Sequence, residues 1–77
     1  MSNMNIGIKK KLEELIGKWV ELNHGYSGVY ICHNPNNDNP PYKVLRFESE
    51  DCVVLVDRVG NELFVPIDHI TSISIMK

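Results

Sequence analysis

The sequence predicts a mostly β fold: one N-terminal helix, then five or six short strands in a strongly bent antiparallel sheet. Three observations carry that expectation. Eight Val and eight Ile stand against no Ala, which enriches the β-branched types and removes the best helix former. The stretch from Asp51 to Ile75 alternates short apolar runs with turn chemistry: strand, turn, strand, one tight turn, strand. Finally, 77 residues have room for one core only. A short sheet with a single helix to cover it hides its apolar face best by curling into a small, partly closed barrel.

The helix comes first, within residues 1–17. Asn3 or Asn5 can cap it, and Ile8, Leu12, Leu15 and Ile16 recur at helical spacing, with Lys9, Lys10, Lys11, Glu13 and Glu14 on the other face. Gly17 is placed to end it in a left-handed conformation. The barrel then occupies 18–76. Lys18–Asn23 alternates as a half-buried strand, with Trp19, Glu21 and Asn23 facing away from Lys18, Val20 and Leu22. His24 to Gly28 supplies turn glycines, and Gly28–His33 continues as a second strand with Gly28 set for a sharp bend.

Residues 34–41, rich in Asn and Pro, form a loop, because proline removes donors and asparagine favours turns. Tyr42–Glu48 returns as a strand, with Tyr42, Val44 and Arg46 on one side and Lys43, Leu45 and Phe47 on the other. Ser49 and Glu50 turn into the strand Asp51–Asp57. Arg58–Asn61 is a hairpin turn, Glu62–Ile67 a strand, Asp68–Ile70 a single turn, and Thr71–Met76 the last strand. Pro66 near a strand end marks an edge or a bulge.

Charge and motif content exclude several function classes. The net charge is −2, with +1 on residues 1–17 and −4 on residues 18–76, unlike the strongly basic chain of a duplex-DNA binder. A polyanion would have to use a local patch. No segment reaches the roughly 20 apolar residues of a membrane helix, and Met1–Ile8 lacks a signal-peptide apolar run, so a soluble cytoplasmic protein without a membrane partner is expected. Cys32, Cys52, His24, His33 and His69 lack the short paired spacings of a zinc site. No phosphate loop or nucleophile motif is present; neither catalysis nor a cofactor is expected. A single core of this size supplies only roughly 3–5 kcal/mol, so partner copies are the natural source of further stability. The two apolar strands near the C-terminus are the candidates for pairing edge to edge with a neighbouring copy.

The element order resembles the Sm/LSm family. Trp-Val-Glu-Leu-Asn-His-Gly (19–25) looks like that family's first strand and glycine turn, and Gly-Val-Tyr-Ile (28–31) like the start of its bent second strand. Residues 47–55 are similar to the segment carrying the family's uridine pocket, and residues 59–73 to its second motif. Cys52 stands where the pocket asparagine would fall, and Pro66 and Ile67 where the second motif has arginine and glycine. The resemblance therefore implies the scaffold, a homo-oligomeric ring of five to seven copies, and a loop pair facing the pore, Glu48–Asp51 and Asp68–His69. It does not extend to uridine-specific reading.

Together these readings give an expected function: binding of single-stranded RNA or DNA, with a role in nucleic-acid processing. Lys43 and Arg46 lie beside the aromatic Tyr42, a combination suited to backbone neutralisation with base stacking. Lys10 in the helical lysine run can contact phosphate, and Glu48, Asp51, Asp68 and His69 belong to the loop pair. Tyr26, in its glycine-flanked turn, is a further aromatic candidate, and Trp19 is a core or inter-subunit anchor. The alternative expectation is a protein-interaction or structural module on an SH3-like barrel, binding no nucleic acid.

Overall fold

The structure is a computed structural model that describes residues 4–34 and 40–75. Helix α1 (Met4–Glu14) leads into strands β1 (Trp19–Gly25), β2 (Gly28–His33), β3 (Tyr42–Ser49), β4 (Cys52–Asp57) and β5 (Glu62–Pro66). A three-residue 3₁₀ turn, η1 (Ile67–His69), then joins β5 to β6 (Ile70–Ile75). The expected helix, strands and turns are present, with ends moved by a residue or two. Asn3, one of the two expected caps, and Pro35–Asn39 of the expected loop lie outside the described residues.

The helix forms because Leu12 and Leu15 have an apolar surface to meet; both are buried in the one core cluster. It ends as anticipated: Gly17 takes a φ of 86°, and the Lys18 N–H donates to the Leu15 carbonyl at 2.8 Å. The chain then runs along β3, the Gly17 N–H donating to the Val44 carbonyl at 2.7 Å.

Strand order is β5-β4-β3-β1-β2-β6. β1 is shared between two halves, pairing with β3 through Trp19 and Val20 and with β2 from Glu21 to Gly25. Six strands in a flat sheet would hold β5 and β6 about 24 Å apart at the usual strand spacing. Yet η1 joins them with three residues, whose reach is at most about 14 Å. The sheet must therefore curve for η1 to join its two edges. It does not close: β5 and β6 are its two edges and do not pair with each other.

The sheet is mixed rather than wholly antiparallel, which corrects the sequence expectation. β6 runs parallel to β2, from Val29 opposite Ile70 to His33 opposite Ile75. A short connection implies antiparallel pairing only between the strands it joins. Here η1 carries the chain from one sheet edge to the other, so β6 lands beside β2. A bulge at Val29–Tyr30 adjusts the register there, and the Thr71 hydroxyl donates to the Val29 carbonyl at 3.1 Å.

Candidate nucleic-acid interface

The outer face of β3, β4 and β5 gathers two of the expected basic residues, Lys43 and Arg46, and a bulge is what gathers them. In a regular strand Lys43 and Arg46, three residues apart, would point to opposite sides. The register shifts between Val44 and Arg46, so that Lys43 sits opposite Val56 and Arg46 opposite Val54. Val54 and Val56 share one face of β4, and Lys43 and Arg46 therefore share it too. The assignment of Lys43 and Arg46 to opposite sides is thus corrected.

Trp19 pairs with Lys43 in register, and the Lys43 ammonium lies 5.4 Å from the centre of the Trp19 ring, within cation–π range. Phe64, opposite Val54 on β5, joins the same face and is 51% exposed. Val54 is wholly buried although it lies outside the main core cluster, flanked in register by Arg46 and Phe64.

Acidic groups temper this patch. The Arg46 guanidinium donates to Glu48 at 3.2 Å and to Glu62 at 3.3 Å. Its pKa is raised, first by the hydrogen bond to Glu62. All three side chains are exposed, and exposed ion pairs of this kind contribute little and yield readily to a competing anion.

Tyr42 does not join Lys43 and Arg46. It packs against the core cluster, on the inner side with Val44 and Phe47. Lys10 is exposed on α1, and Leu12 of α1 with Leu15 just after it closes that same inner side. The neighbouring Lys9 ammonium lies 5.5 Å from the centre of the Phe47 ring. Lys10 is therefore on the other side of the sheet from Lys43.

The loop pair does come together. The Ile67 N–H donates to the Asp51 carbonyl at 2.7 Å, which seats η1 against the β3–β4 turn. Gly28, with φ of 145°, lies so close to the His69 carbonyl that a Cβ there would collide with it. Three turns thus meet around η1, presenting exposed Tyr26, Asp51, Asp68 and His69. This region is acidic, through Glu50, Asp51 and Asp68, and suits phosphate less well than the outer face does. Glu48 is divided from the group by its ion pair with Arg46.

Phe64 and Glu62 were not singled out from the sequence, although the alternation of β5 held the signal: Glu62, Phe64 and Pro66 share the face opposite Val65. Among the described residues, both cysteines are free and no cluster of three or more metal-ligating side chains occurs. No described helix is long and apolar enough to cross a membrane. Comparison with protein-family models, with curated proteins and with solved structures finds no match to this chain.

Proposed function

We propose that this chain is a self-associating, Sm-like small-barrel module that binds single-stranded nucleic acid, RNA foremost, in support of RNA or DNA processing. The observation that carries this reading is the β3 bulge, which sets Lys43 and Arg46 on one face with Trp19 and Phe64. Single-strand binders need cations for the backbone and aromatic surfaces for bases, with little demand on sequence. Lys43 and Arg46 neutralise phosphates, Arg46 exchanging its carboxylate partners for the strand. Phe64, and Trp19 from beneath Lys43, supply the stacking surface. Affinity is modest, because the rest of the surface is acidic.

Fluorescence anisotropy with labelled oligo-U, oligo-A and single-stranded DNA at two salt concentrations tests this. Replacing Lys43 and Arg46 together with alanine should weaken binding at least about tenfold at low salt and flatten the salt dependence. Absence of binding to all three oligonucleotides refutes the proposal.

A second reading, a protein-interaction module without nucleic acid, is favoured by one observation. The free edge of β5 carries the half-exposed Phe64 beside Leu63, itself 37% exposed. Such an edge suits an added strand.

A further inference from the structure

We propose that two copies of this chain pair through β5, antiparallel and about a two-fold axis at Phe64, to form a closed dimer. This inference makes specific the self-association proposed above and shares Phe64 with the nucleic-acid reading; sedimentation without nucleic acid tests it apart from that reading.

The hydrogen-bond phase of β5 decides what its free edge offers. The Asp57 N–H donates to the Asn61 carbonyl at 3.0 Å, and the Ile67 N–H to the Asp51 carbonyl at 2.7 Å. In an antiparallel ladder, hydrogen-bonded and non-hydrogen-bonded pairs alternate. With Asp57–Asn61 and Asp51–Ile67 bonded, Leu55–Leu63 and Val53–Val65 are bonded as well. Glu62, Phe64 and Pro66 fall in the intervening pairs, so their backbone groups point away from β4 to the open edge. Pro66, which has no N–H, sits where none is required by β4.

The edge therefore presents the N–H and carbonyl of Glu62 and those of Phe64, while the Pro66 carbonyl, as the cap of η1, keeps one lone pair beside the bond it accepts from that turn. The central pair is self-complementary. With Phe64 opposite Phe64 of the second copy, each Phe64 N–H donates to the other's Phe64 carbonyl. Each Glu62 N–H falls opposite the other's Pro66 and donates to that remaining lone pair.

The side chains agree with this register. The two Phe64 rings meet on the outer face, where each is 51% exposed in one copy. Leu63 comes opposite Val65 on the inner face. The two Glu62 residues are four strand positions apart, about 13 Å, beyond the screening length in physiological salt. Nothing in the register sets like charges face to face. A two-fold pairing of this kind ends at two copies, whereas the ring of five to seven expected from the Sm resemblance needs β5 of one copy on β6 of the next.

Sedimentation equilibrium across the micromolar to millimolar range tests the proposal. The expected species has twice the chain's 8.8 kDa mass and dissociates on dilution. Phe64→Lys, which sets two ammonium groups against each other at the axis, should raise the dissociation constant about tenfold or more. Val59→Lys, adding the same charge on an exposed turn, should leave it unchanged. A monomer throughout, a ring of five to seven copies, or a dimer that Phe64→Lys leaves intact in a folded protein would each overturn it. Should Phe64→Lys not fold, amide exchange of the parent chain decides: Glu62 and Phe64 must gain protection as concentration rises, and concentration-independent exchange refutes the pairing.

Discussion

The Arg46 guanidinium reaches across β4 to place Nη2 3.3 Å from Oε1 of Glu62, two strands away on the same outer face. This ion pair holds one of the two cations assigned to phosphate. Glu62→Gln should release Arg46 and raise affinity for single-stranded RNA severalfold at low salt, the gain fading as salt screens it. Titration of both proteins at two ionic strengths checks this; an unchanged or lower affinity would remove Arg46 from the proposed interface.

The contact between Gly28 and the His69 carbonyl ties the start of β2 to η1. A side chain at 28 would be strained at φ of 145° and would meet that backbone oxygen directly. Gly28→Ala should cost about 3 kcal/mol, read as a lower urea midpoint with little change in slope. Gly7, where a Cβ would meet nothing within 4 Å, provides the contrast: Gly7→Ala on the helix should be neutral or stabilising.

Acid should loosen the β4–β5 hairpin. The Asp57 carboxylate accepts the backbone N–H groups of Val59, Gly60 and Asn61, each at 2.9 Å. Its pKa is lowered, first by the Asn61 backbone hydrogen bond. A carboxylate whose folded pKa is depressed stabilises the fold above its unfolded pKa, and loses that contribution as pH falls through the folded value. Asp57→Asn should therefore be less stable than the parent at pH 7, with the difference narrowing below about pH 4. Urea unfolding at several pH values measures it; a gap that widens on acidification contradicts the assigned role.

Much of the fold was legible because its signals are local. The spacing of Leu12 and Leu15, the left-handed Gly17, and the turn residues between β4 and β5 act within a few positions of themselves. The candidate interface was legible only in part. Lys43 and Arg46 stood out as cations among aromatics, yet their common face depends on one bulged position that strand alternation does not reveal. Tyr42, read as their stacking partner, is drawn inward by Val44 and Phe47, while Phe64 takes a place on the outer face. The register of β3 against β4 settled that exchange.

By itself, the sequence determined the kind and order of the elements, with five or six strands left open, since β-branched runs, turn glycines and prolines fix backbone preference residue by residue. Only the tertiary structure decided that β6 runs parallel to β2, that the sheet stays open at β5, and that Trp19, Lys43, Arg46 and Phe64 share a surface. Those outcomes rest on pairings between strands distant in the chain. Their registers are set by which apolar face can be buried under α1, and no local preference encodes that choice.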